Sequence, residues 1–110
     1  MDWLQIGQLE DIPRQGSRVV QTDDGEIALF RSVDDKVFAL NNRCPHKGGP
    51  LSQGIVHGTR VTCPLHNWVI DLESGNAAAP DVGCAHRHEV RVTHGMVFIE
   101  VKAGACKAAA

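Results

Sequence analysis

The chain has no tyrosine, no apolar run longer than a few residues and no stretch where positive charge accumulates. Short apolar runs leave nothing to span a membrane. A net charge of −2, with acidic and basic residues spread along 110 residues, offers no stripe for nucleic acid and no acidic tail. No G-x-G-x-x-G run is present, and one domain of this length leaves no room for a flavin domain. The start, Met1-Asp2-Trp3-Leu4, lacks a positive region followed by an apolar one, so no secretory leader and a cytoplasmic location are expected. No Ser/His/Asp arrangement stands out. Glu10-Asp11 and Asp34-Asp35 are adjacent pairs in turn-like segments and do not read as a general acid and base.

What is present is a succession of short strands. Arg18 to Thr22 and Glu26 to Val33 flank Asp23-Asp24-Gly25, a hairpin signal. Val37 to Leu40 follows the polar turn Asp34-Asp35-Lys36, and Thr59 to Thr62 forms another strand. Trp68, Ile70 and Leu72 alternate with Val69, Asp71 and Glu73 up to Ser74-Gly75-Asn76. Val90 and Val92 alternate with polar neighbours before His94-Gly95 turns the chain into Met96 to Val101. No window of a dozen residues carries a 3.6-residue period. The expectation is an all-β chain, an antiparallel sandwich or barrel, in a single domain over 1–101 with a disordered tail at 102–110.

Set into this pattern are two arms that carry chemistry, Cys44-Pro45-His46 and Cys63-Pro64-Leu65-His66. Each offers a thiolate and an imidazole, and each lies beside a strand, so residues from about 41 to 80 read as a subdomain inserted in a β scaffold. The mixture suits an iron–sulfur centre in which two histidines replace two cysteines on one iron. Pro45 and Pro64 fix φ directly after each cysteine. Gly48-Gly49-Pro50 supplies a permissive turn whose N–H groups can approach sulfide, and Leu51 and Leu65 can keep water away. Two Cys and two His can also close a structural zinc tetrahedron. The order Cys, His, Cys, His with one- and two-residue gaps counts against it, since zinc fingers pair cysteines and then histidines.

The segment Cys44-Pro45-His46-Lys47-Gly48-Gly49-Pro50-Leu51-Ser52, with Cys63-Pro64-Leu65-His66, resembles the Rieske [2Fe–2S] family. The resemblance implies a Rieske-type antiparallel β-sandwich with an inserted cluster-binding subdomain. It implies that Cys44 and Cys63 bind the inner iron while His46 and His66 bind the outer iron at the tip of the domain. Two neutral imidazoles in place of two thiolates make reduction easier, so such centres lie near about −150 to +300 mV rather than about −400 mV. High-potential members carry a second cysteine in each arm and hydroxyl donors from Ser and Tyr. Here Gly49 and Leu65 stand where those cysteines would be, and tyrosine is absent, which places this chain at the low end.

The longer run Cys63-Pro64-Leu65-His66-Asn67-Trp68-Val69-Ile70-Asp71-Leu72-Glu73-Ser74-Gly75, with Ala79-Pro80-Asp81-Val82-Gly83-Cys84, is similar to small subunits of assimilatory NAD(P)H-dependent nitrite reductase. That resemblance implies a large partner subunit with FAD, a [4Fe–4S] cluster and sirohaem, which reduces nitrite to ammonium. This chain would be an electron-transfer subunit of that oxidoreductase, not catalytic alone. A freestanding ferredoxin for a ring-hydroxylating oxygenase is the alternative, although such ferredoxins more often have glycine where Asn67 stands. A structural subunit with a vestigial or regulatory cluster is the third reading.

The remaining candidates have plain explanations. Cys84 reads as a small loop or core residue and Cys106 as a free thiol in the tail. His86 and His88 share one face if on a strand, but solvated surface explains them without a second metal site. His57 reads as a turn residue, His94 as hairpin chemistry, Trp68 as core and Lys47 as a solvated cation.

Overall fold

Short runs rich in apolar residues, broken by turn chemistry, build most of the ten strands found among the described residues of a computed structural model, which are 3–22, 25–43, 49–64, 67–78 and 83–100. In chain order they are β1 (Trp3–Gln8), β2 (Gly16–Thr22), β3 (Gly25–Arg31), β4 (Val37–Asn41), β5 (Ile55–His57), β6 (Arg60–Thr62), β7 (Val69–Asp71), β8 (Arg87–His88), β9 (Val90–Thr93) and β10 (Met96–Glu100). They form three antiparallel sheets, ordered β1-β10-β9, β2-β3-β4-β8 and β5-β6-β7. The expected all-β architecture is what the chain adopts.

The four-stranded sheet is the centre of the fold because both its faces are covered. Ala28 and Phe30 of β3 point into a core with Leu40, Leu51, Val56, Val61, Cys63, Ile70 and Leu72. Ile27 and Leu29, on the opposite face, pack with Ile12, Ala39, Val97 and Ile99. Two-sided burial is why Ile27-Ala28-Leu29-Phe30 is a continuous apolar run and not an alternating one. Since β4 pairs with β8, the chain leaves the central sheet after Asn41 and returns to the same strand at Arg87. Between those two points β5-β6-β7 forms its own small sheet.

Turns follow their chemistry. His94 and Gly95 both have positive φ, 49° and 77°, as a two-residue hairpin between β9 and β10 requires. Asp23 and Asp24 of the expected β2–β3 turn lie outside the described residues. The strands flanking them pair from Thr22↔Gly25 onward. Two histidine readings need correction. His57 is the last residue of β5, opposite Arg60, and its Nε2 lies 2.7 Å from Thr62 Oγ1. His88 is not solvated surface. It is 3% exposed, with Nδ1 2.8 Å from the Glu100 carbonyl oxygen and Nε2 2.9 Å from Asn41 Oδ1. A polar ring is tolerated there because both nitrogens have partners, one from each packed sheet. His86, just outside β8, is exposed as expected.

Arg31 closes the other end of β3. Its Nη1 donates to the carbonyls of Leu9 (3.2 Å) and Ile12 (3.0 Å), and its Nε and Nη2 donate to Asp35 Oδ1 at 3.0 and 2.7 Å. This ties the 3-10 turn Leu9–Asp11 to the β3–β4 connection. The Arg31 hydrogen bond holds the Asp35 carboxyl below its ordinary value, with help from the Arg14 charge. A lowered folded pKa means that the contribution is complete above the ordinary aspartate value of about 3.9 and disappears as pH falls through the lower folded value. Asp35 sits at φ 67°, where asparagine is also accommodated. Asp35→Asn should therefore melt below wild type near neutral pH, with the gap closing on acidification. Melting curves from pH 7 to 2 check this, and a gap that stays constant would refute it.

Candidate metal centre

The second arm is the connection between β6 and β7, and its start is well defined. Cys63 directly follows β6, is 1% exposed and carries a free thiol. Its N–H donates to the Trp68 carbonyl at 2.7 Å, and its carbonyl accepts the Asn67 N–H at 3.0 Å. These two bonds fold the arm into a tight loop over the end of the hairpin, whose last pair is Thr62↔Val69. The loop needs a left-handed residue, and Asn67 takes that place at φ 59°. Asparagine reaches this conformation at lower cost than most residues. Its side chain is left exposed at the end of the arm.

The first arm runs from the end of β4 to the 3-10 turn Leu51–Gln53. Of the expected ligands, Cys44, His46 and His66 lie outside the described residues, as do Pro45, Lys47, Gly48 and Leu65. Cys63 is thus the one ligand candidate the described residues contain, and among them no three His, Cys, Asp or Glu come together. What the described residues do show is that the ends of the two arms meet. A Cβ on Gly54, just after the first arm, would lie 2.3 Å from the carbonyl oxygen of Thr62, the residue before Cys63. Leu51, fully buried, packs in the same core as Cys63.

This environment suits a soft-metal ligand. A reduced, buried thiol sits at the rim of an apolar core, in a loop braced by its own backbone, and the arms' donors are two thiols and two imidazoles. Those residue types fit a [2Fe–2S] group of the His-substituted kind, to which Cys63 would offer its thiolate from the buried side. Cys84 differs from its reading as a plain loop or core residue: it is half-buried, bridges to Asn76 and takes part in a disulfide. Cys106 lies outside the described residues. Trp68 packs against the core with Phe38 and Ala77, as its alternation with Ile70 and Leu72 implied. Sequence reasoning missed Gly54, Asn42 and Ser17. Only Gly54 could have been suspected, as a glycine shortly after a ligand arm.

No helix among the described residues is long and apolar enough to cross a membrane. Comparison with known proteins finds that the Rieske [2Fe–2S] domain matches residues 2–92. A ferredoxin component of naphthalene 1,2-dioxygenase/salicylate 5-hydroxylase systems from Ralstonia sp. is 33% identical over 76 residues, covering 69% of this chain and 72% of that protein. A chain in the complex of reduced oxygenase and oxidized ferredoxin of carbazole 1,9a-dioxygenase superposes with a TM-score of 0.80 at 27% identity, over 97% of each chain. A Mycobacterium tuberculosis protein, provisionally assigned as an NADH-dependent nitrite reductase small subunit, gives 0.81 at 25% identity, over 96% of this chain and 97% of that one.

Proposed function

The chain belongs to the Rieske [2Fe–2S] domain family, and we propose that it serves as the electron-transfer small subunit of an assimilatory NAD(P)H-dependent nitrite reductase. In this reading Cys44 and Cys63 would hold one iron and His46 and His66 the other, with Cys63 offering its thiolate from the buried side. A bound [2Fe–2S] group supplies one-electron reduction and reoxidation. The chain's own residues would bind it and exclude water through Leu51 and the core behind Cys63, and the exposed Asn67 beside His66 would face a partner. The partner is a large catalytic subunit carrying FAD, a [4Fe–4S] cluster and sirohaem, and the complex works in the cytoplasm.

The observation that carries this reading is Asn67. At φ 59° it occupies the backbone conformation for which glycine is the easy choice, the residue usual here in oxygenase ferredoxins. Asparagine keeps the loop geometry and adds an exposed amide one residue from His66, where a partner would dock. The run His66-Asn67-Trp68 through Gly75 supports the same choice, while the fold, shared with the Mycobacterium tuberculosis protein and with the carbazole dioxygenase chain alike, fits both readings. The second reading, a ferredoxin serving an oxygenase, is favoured by the 33% identity to the Ralstonia ferredoxin component.

Purification of the tagged protein from its native cells grown on nitrate separates the two. A co-purifying large subunit with flavin and sirohaem absorption is the expected result. An oxygenase, or a lone coloured protein that passes single electrons to an oxygenase, would replace the proposal with the second reading.

A further inference from the structure

A chain of polar contacts outside the arms joins the scaffold hairpin to the base of the first arm. Gln21 and Glu26 are opposite each other in β2 and β3, and Gln21 Nε2 donates to Glu26 Oε2 at 2.8 Å. Asn42 Nδ2 donates to the other oxygen, Glu26 Oε1, at 3.1 Å, and the Asn42 N–H donates to the Glu26 carbonyl at 3.0 Å. The amide oxygen of Asn42 then accepts the N–H of Ser52 at 2.8 Å, ten residues further along the chain. Ser17 Oγ donates to the carbonyl of Ser52.

The placement of these bonds is informative. Asn42 precedes the first arm and Ser52 follows it, so the Asn42–Ser52 bond closes the arm's base. The N–H groups that open a 3-10 turn have no partner within it, and here the residue before the turn, Pro50, makes no side-chain cap. Asn42 supplies the missing acceptor from across the arm. Its own orientation is set twice by Glu26, once through backbone and once through side chain. Ser17 fixes the other polar group of Ser52 from β2. Gly54, two residues on, is where this segment seats against Thr62 beside Cys63.

We infer that Asn42 is a positioning residue for the cluster: its bond to Ser52 pins the base of the first arm beside the strand that leads into Cys63. This rests on the cluster-binding reading and is independent of which partner the chain serves. Asn42→Ala should release the cluster roughly tenfold faster than wild type, the factor expected for one lost hydrogen bond at a partly buried amide. It should also broaden the reduced protein's EPR lines, because an unpinned arm samples several ligand geometries. Asn42→Asp keeps the acceptor for Ser52 but sets two carboxylates against each other. Adding Glu26→Gln reverses donor and acceptor along the same line and should restore wild-type release and line shape.

Val97→Ala, in the core on the far face of the central sheet, controls for loss of stability alone. The measurements are bleaching of visible absorption in chelator, the EPR spectrum and the melting temperature, each on the full chain. Faster release and broader lines in Asn42→Ala, absent from Val97→Ala and reversed in the Asn42→Asp/Glu26→Gln pair, support the assignment. Wild-type release from Asn42→Ala would overturn it, as would equal effects in Val97→Ala at equal loss of melting temperature. A wild-type protein that takes up no iron and sulfide would instead overturn the cluster-binding reading on which it rests.

Discussion

Cys63→Ser should give a folded but colourless protein, with no visible absorption and iron reduced to background. The two side chains are close in size, and the residue is 1% exposed, so the exchange opens no cavity that could unfold the loop by itself. The bonds from Cys63 N–H to Trp68 and from Asn67 to the Cys63 carbonyl are backbone bonds, and they survive. What is lost is the soft, readily ionised donor that iron in a sulfide cluster requires. A hydroxyl left in this apolar surrounding costs about 1–3 kcal/mol if nothing accepts from it. Loss of the cluster removes further stability, because ligand binding and loop order are coupled. The expected variant therefore keeps the circular dichroism of a β protein and melts well below the loaded wild type. Full absorption and iron in Cys63→Ser would remove Cys63 from the ligand set and with it the proposed division of the four ligands.

The alternating strands were readable because each has one apolar face and a turn residue at its end. Val90–Thr93, leading into the turn at His94-Gly95, is the clearest case. β3 was readable for the opposite reason, as a continuous apolar run. β1, β5 and β8 were not. β1 carries Gly7 at φ 133° and a shift of register between Gln5 and Gly7, which break the two-residue period. β8 has two residues, too few for any period to show, and β5 has no alternation, since Ile55 and Val56 are adjacent. Burial of His88 was illegible because Arg87-His88-Glu89 reads as a polar edge. Only the approach of the Glu100 carbonyl and Asn41 from elsewhere in the chain makes the site a buried one. Arg31 hides in the same way, its acceptors being backbone carbonyls that leave no mark in sequence. Ligand identity behaves differently, since it depends on residue type and spacing. The four candidates could therefore be named at once, while the Asn42–Ser52 bond and the Gly54 contact, which depend on tertiary placement, could not.

Gly54→Ala should be among the most damaging single-methyl changes in the protein, and backbone conformation is not the reason. Gly54 has φ −78° and ψ 177°, which any residue adopts. The added Cβ would lie 2.3 Å from the Thr62 carbonyl oxygen, 2.9 Å from Val61 Cγ2 and 3.1 Å from the Leu51 carbonyl oxygen. Two of these three atoms belong to the backbone and cannot rotate away, so β6 or the 3-10 turn must move. Overpacking of this kind costs about 1–3 kcal/mol and sometimes more. For a domain near this size each kcal/mol lowers the melting temperature by roughly 4–8 °C. The movement also separates the exit of the first arm from the entry to Cys63, so cluster release should accelerate along with the loss of stability. Gly58→Ala is the informative comparison. Gly58 has φ 59° and nothing within 4 Å of its would-be Cβ, so alanine there bears only the left-handed penalty of about 1–2 kcal/mol. It lies in the β5–β6 turn, away from the contact between the arms, and should release its cluster at the wild-type rate. If Gly58→Ala loses colour as quickly as Gly54→Ala, the close approach at Thr62 is not what keeps the two arms together.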